Sequence, residues 1–144
     1  MTGRPSLVRP RRLPAPRFRH PRLEDPAHLE FIRTLPSLVR GEGPTEAAHI
    51  RFAAQHYGKR ETGMAEKPDD CWTVPLCGEK HRWGKDAQHG MSEREFWDRR
   101  GIDVCAVAMA LWMWSGDIER GLKIVHLAQL HAKPRHDLYA RIDR

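Results

Sequence analysis

Residues 1–22 carry Arg4, Arg9, Arg11, Arg12, Arg17, Arg19 and Arg22, interleaved with Pro5, Pro10, Pro14, Pro16 and Pro21, and contain no acidic residue. A stretch of that composition has too little apolar surface to offset the entropy of ordering it, and its prolines favour an extended backbone. The core must therefore come from residues further along the chain. We expect residues 1–26 to form a flexible basic arm ahead of one domain at 27–144, the size a 144-residue chain suggests. Arginine-rich arms neutralise phosphates through counterion release without reading sequence. The arm, within a formal net charge of +6, thus points to a nucleic-acid partner.

Other classes are excluded by what is missing. The sequence has no run of eighteen apolar residues, and the Arg-rich start lacks the apolar stretch and small-residue cleavage site of a signal peptide. A cytoplasmic location without membrane association is expected. Cys71, Cys77 and Cys105 are odd in number and form no CxxC pair, so they read as reduced packing thiols rather than a disulfide framework or a four-cysteine zinc site.

Within the domain, Ala27–Val39 has roughly helical apolar spacing broken by Pro36, and Gly41 to Pro44 makes a turn. Thr45–Phe52 and Cys71–Leu76 suit two strands, with Pro75 placing the second at an edge or strand end. Between them Gln55–Asp70 is a polar loop whose length calls for a functional reason. A helical or loop-helix segment runs from about Glu79 to about Trp97. Asp103 caps an apolar helix through Leu111 and Trp112 that stops at Ser115 and Gly116. Asp117 opens an amphipathic one through Ile118, Leu122, Val125 and Leu130, ended by Pro134. These two helices, at about 103–133, are expected to supply most of the core, with Trp97, Trp112 and Trp114 inside it.

Three segments carry candidate chemistry: E-A-A-H-I-R at 46–51, K-P-D-D-C-W-T-V-P-L-C at 67–77 and E-K-H-R-W-G-K-D-A-Q-H-G at 79–90. A histidine ends a first strand, a polar residue enters a second, and further histidines come after it. That is the layout of a strand–strand–helix metal finger. In it the first histidine activates water, the polar residue holds the loop or orients the imidazole, and the later histidines grip a divalent cation. A phosphodiester is already anionic, so attack needs both a base of near-neutral pKa and a cation on the non-bridging oxygens.

These segments resemble the HNH endonucleases (His-Me finger, ββα-metal), and more closely the bacterial and phage HNH-like group that includes the phage Ref recombination nuclease. The similarity spans about residues 45–114, through E-F-W-D-R-R-G-I-D at 95–103. It implies an α+β fold with a ββα-metal finger at about 45–97, packed helices, and hydrolysis of DNA with Mg²⁺, Mn²⁺ or Zn²⁺, alongside a recombination protein as a possible partner. Carried over, His49 is the general base, Asp70 the middle polar position, and His81 and His89 the metal-binding candidates. Arg51, Lys59, Arg60, Lys67 and Arg82 are candidate phosphate contacts. His56 is structural or another phosphate contact, and His126, His131 and His136 are structural.

Two departures from the family pattern leave alternatives open. Ala48 stands where many of these enzymes place an acidic ligand; Glu46 is the nearest acid, but alternation puts it on the opposite face of the strand from His49, so it reaches the metal only if the strand is bulged or ends early. His81 and His89 are eight apart, about 12 Å along an unbroken helix, too far to share a cation with ligand bonds of about 2 Å. Either Trp83–Asp86 bends, bringing His89 back to His81, or the ligands are His81 with Glu46, Asp70 or Asp86. The competing function is a non-catalytic zinc- or DNA-binding module that keeps a degenerate finger.

Overall fold

The first helix starts where Asp25 accepts the His28 amide at 2.9 Å and Pro26 occupies the first turn, whose amides have no intrahelical partner to lose. The computed structural model of the chain describes residues 21–90 and 92–133. Helix α1 (Pro26–Thr34) ends two residues before Pro36 and buries His28, Phe31 and Ile32. The chain then passes buried Leu35 and Leu38 into an antiparallel pair, β1 (Thr45–His49) and β2 (Thr73–Cys77), in register from Thr45 opposite Cys77 to His49 opposite Thr73. The molecule is a small α+β protein with a two-stranded sheet and several helices.

All five residues of β2 are buried, so both of its faces are covered, whereas β1 buries only Ala48. Helix α1 packs on both strands and α3 (Val104–Met113) on β2. The free edge of β2 is closed by the strap before β1: Leu38 N–H donates to the Pro75 carbonyl and Cys77 N–H to Ser37 Oγ, both at 2.8 Å. Proline, with no N–H, is accommodated because only its carbonyl is used there. The first strand is shorter than expected. Ile50 still donates to Trp72 O, but the Arg51 amide turns away to the Glu93 carboxylate, 2.8 Å off.

The long polar loop is held in shape by its own polar groups. A 3₁₀ turn at Gln55–Tyr57 is followed by a bridge between Ala54 and Lys59, and the Lys59 ammonium donates to the Phe52 carbonyl at 2.7 Å. After β2 the expected helical stretch is three pieces: a π-turn at Glu79–Trp83, a 3₁₀ turn at Gln88–Gly90 and helix α2 (Glu93–Arg100). Gly101, at φ +63°, caps α2 and lies against the Lys133 backbone, so a side chain there would meet both strain and a clash.

Helix α3 starts as expected, with Asp103 accepting from the Ala106 amide, and buries Val104, Cys105, Val107, Ala108 and Leu111. Helix α4 (Ile118–Leu130) is likewise capped by Asp117, but it buries only Gly121 and Val125 while Ile118, Leu122 and Leu130 are exposed. The expectation that the last two helices supply most of the core therefore fails for α4. Its place is taken by Phe96 and Trp97 of α2 and by α1. Trp114 also departs from expectation: it is 41% exposed, with the Arg120 guanidinium 3.5 Å over its ring. Trp97 is buried as expected, and Trp112 is half-buried with its ring edge-on to His28.

All three cysteines are free, and burial pushes the Cys71 and Cys105 thiols up to about 11. No helix among the described residues is long and apolar enough to cross a membrane. Residues 1–20 of the expected arm, Pro134 and His136 lie outside the described residues. Arg22 to Pro26, assigned above to the arm, are instead stitched to the domain. Leu23 N–H donates to Asp69 Oδ1, its carbonyl accepts from the Asp70 amide, and the Asp25 amide donates to Asp70 Oδ2.

Candidate active site

His49 is the last residue of β1, with its side chain 20% exposed, and its Nε2 lies 2.8 Å from Asp70 Oδ1. Asp70 reaches it from a turn in which Trp72 N–H donates to Asp69 O and the Thr73 hydroxyl donates to Asp70 O. The Asp70 side chain is only 2% exposed, yet it is well furnished with donors: His49 Nε2 and Arg22 Nη1 on Oδ1, each at 2.8 Å, and the Asp25 amide on Oδ2 at 2.9 Å. Burial alone would raise its pKa. The His49 bond, the Asp25 amide and the Arg22 charge outweigh that and hold the carboxyl below the ordinary carboxylate range. An ionised carboxylate only accepts, so the proton on a neutral His49 ring resides on Nε2 and the Nδ1 lone pair is left to act as a base. The middle polar residue and the candidate base are thus in direct contact.

Glu46 lies three residues back and, as alternation requires, faces elsewhere. Its Oε2 is 2.6 Å from His81 Nδ1, and Arg82 grips both carboxylate oxygens. Partial burial would raise its pKa, but Arg82 and His81 bring it below its usual value. Of the two geometries left open above, the chain adopts the bend. The Gly84 amide closes the π-turn on Glu79 O at 2.8 Å, Gly84 is extended at ψ 160°, and Lys80 spans the turn to both Asp86 oxygens at 2.9 Å. A Cβ on Gly84 would come within 2.6 Å of the Glu79 carbonyl oxygen, so the bend requires glycine. The His81 and His89 ring centroids end 4.6 Å apart, edge to face. Partial desolvation and the neighbouring His81 lower the pKa of His89, favouring the neutral ring that a cation needs.

Two imidazoles with a carboxylate behind one of them suit a divalent ion. A metal-bound histidine commonly donates its other ring N–H to a carboxylate, as His81 Nδ1 can to Glu46. The fit extends to His81 and His89. Glu46, a candidate ligand in the sequence, is engaged by His81 and Arg82, and Asp86 by Lys80 and Arg100. Among the described residues no three histidine, cysteine or acidic side chains converge as a preformed cage.

The candidate phosphate contacts separate. Lys59 is 3% exposed with its ammonium on backbone carbonyls, so it braces the loop instead of presenting charge to solvent. Arg51 donates to the Gly63 carbonyl, Arg60 pairs with Glu66, and Arg82 pairs with Glu46. Lys67 is exposed. His56 is exposed against Tyr57, while His126 and His131 lie on the outside of α4 and at its end.

Two residues join the site that sequence reasoning did not single out. Arg22 stands in the sequence as one more arginine of the arm. Glu93 opens α2 and holds the chain leaving His49 through the Arg51 amide, and burial raises its pKa. Neither contact has a local sequence signal, since each joins segments more than forty residues apart. No family model matches the chain, and no curated protein or solved structure matches it.

Proposed function

We propose that the chain is a metal-dependent DNA endonuclease, with β1, β2 and the bent segment running into α2 serving as a ββα-metal finger. The observation that carries this reading is the His49–Asp70 pair: an accessible imidazole on a strand end, fixed through Nε2 by a buried carboxylate and presenting Nδ1. In the reaction His49 Nδ1 takes a proton from water as the water oxygen bonds to phosphorus. One P–O ester bond breaks, the leaving oxygen is protonated from solvent, and His49 returns its proton to water. Asp70 holds the ring in the productive tautomer throughout. His81 and His89 would hold a divalent cation, which when bound offsets charge on the non-bridging oxygens and leaving group. The basic arm and Lys67 supply phosphate attraction without sequence preference.

A second reading, a non-catalytic zinc- or DNA-binding module, is favoured by one observation. Glu46 is committed to His81 and Arg82, so no acidic ligand accompanies the histidine pair. Incubating supercoiled plasmid with the protein and Mg²⁺, Mn²⁺ or Zn²⁺ separates the two. The nuclease reading expects relaxed or linear product that EDTA abolishes, whereas metal uptake without product under all three ions supports the module.

A further inference from the structure

We propose that Arg22 is a positioning residue for His49, acting through Asp70 to keep the imidazole neutral and its Nδ1 lone pair available near neutral pH. The inference rests on reading His49 as a base and adds what regulates that base. Its ground is that one oxygen, Asp70 Oδ1, accepts from both His49 Nε2 and Arg22 Nη1 at 2.8 Å, so the two nitrogens lie within twice that distance of each other.

A buried carboxylate touching an imidazole by itself favours the imidazolium, because the charged ring pairs with it. Such a histidine is well oriented, and how readily it gives up the second proton depends on what else the carboxylate touches. A permanent cation on the same oxygen changes the balance. The guanidinium stays charged at any working pH. His49 therefore faces a nearly neutral Arg–Asp pair that still accepts its N–H but offers little further stabilisation to a second proton. Geometry supports a built arrangement: Arg22 reaches the Pro68 carbonyl at 3.4 Å and Glu24 at 2.5 Å, and the flanking backbone is fixed by Leu23 to Asp69 and Asp70 and by Asp25 to Asp70.

Of the charged groups at this end of β1, Glu93 accepts from the Arg51 amide and the Arg51 guanidinium donates to the Gly63 carbonyl, while the others gather around that oxygen. Asp70 and Arg22 face the ring; Glu24 is on the far nitrogen of Arg22, Asp69 is turned to the Leu23 amide, and Asp25 caps α1 through the His28 amide. Opposite His49 across the sheet is uncharged Thr73. His28 of α1 is buried with its Nδ1 on the Ser115 hydroxyl, and burial lowers its pKa, so it adds no positive charge to this end near neutral pH.

The test is an NMR titration of the His49 Cε1–H in the full chain, comparing wild type with Arg22→Gln and Arg22→Lys. Loss of the charge in Arg22→Gln should raise the His49 midpoint by about one pH unit, roughly a tenfold gain in proton affinity. Arg22→Lys, which keeps the charge, should stay near wild type. An unchanged or lowered midpoint in folded Arg22→Gln overturns the proposal. Should that variant fail to fold, Arg22→Met, which also removes the charge, takes its place: a midpoint raised by a comparable amount upholds the proposal, and an unchanged or lowered one overturns it. Because the readout needs no cleavage, a wild-type protein that does not cut plasmid removes the nuclease reading while leaving this result to stand or fall by itself. Where cleavage occurs, the acid limb of the pH–rate profile should move to higher pH in Arg22→Gln along with the titration.

Discussion

Replacing Asp70 with Asn keeps the shape of a buried side chain and removes its charge. In the wild type that carboxylate accepts from His49, Arg22 and the Asp25 amide, so it joins the strap before α1, the loop before β2 and the end of β1. Hydrogen bonds to charged groups contribute about 1.5–3 kcal/mol each, and breaking a buried pair by removing one partner costs roughly 3–5 kcal/mol. The Arg22 and His49 side chains are 26% and 20% exposed, so water recovers part of the loss, and the Asn amide oxygen retains one acceptor. We therefore expect Asp70→Asn to lose about 2–4 kcal/mol at pH 7, measured by urea unfolding. The pH dependence makes the test sharper. The Asp70 pKa is lower in the folded than in the unfolded chain, so its stabilisation is fully present above the unfolded value of about 4 and fades as pH falls through the folded value. The gap between wild type and variant should thus narrow steadily from about pH 5 downward. A gap below about 0.5 kcal/mol at pH 7, or one that stays constant on acidification, would refute the role assigned to this carboxylate.

Gly84→Ala would push a methyl into the Glu79 carbonyl, open the π-turn and separate His81 from His89. It should lower Zn²⁺ or Mn²⁺ affinity at least tenfold by calorimetry, and wild-type affinity in that variant would show that the bend does not build the metal site. With their thiols at about 11, Cys71 and Cys105 are almost wholly protonated at pH 8 and should alkylate with iodoacetamide far more slowly in the native protein than in urea. Native labelling of Cys71 at the denatured rate would contradict the burial that raises its pKa.

Elements marked by local chemistry were legible in the sequence. Asp103 and Asp117 announced two helix starts, the two short β-prone runs became the sheet, and the order His49, Asp70, His81, His89 singled out residues that the fold does bring into two contacting pairs. Arg22 was not legible, because nothing in an arginine-rich stretch distinguishes the one that folds back onto Asp70. Burial of Lys59 was equally hidden: its ammonium is stabilised by carbonyls of the loop's own backbone, a contact no side-chain pattern encodes. Helix α4 misled because an amphipathic pattern marks an apolar face without saying whether a neighbour covers it. The bend at Trp83–Asp86 was one of the two geometries that the eight-residue histidine spacing left open, and the chain adopts it, turning at Gly84.

The central claim is that His49 removes a proton from water, and the most direct measurement is plasmid cleavage by His49→Ala beside wild type under the same divalent ion. The variant should retain the native fold and near-native DNA affinity, because His49 is partly exposed and phosphate attraction is assigned to the basic arm and Lys67, while cleavage falls by two to four orders of magnitude, roughly the contribution of a general base. Cleavage at the wild-type rate by a folded, DNA-binding His49→Ala protein would contradict the account.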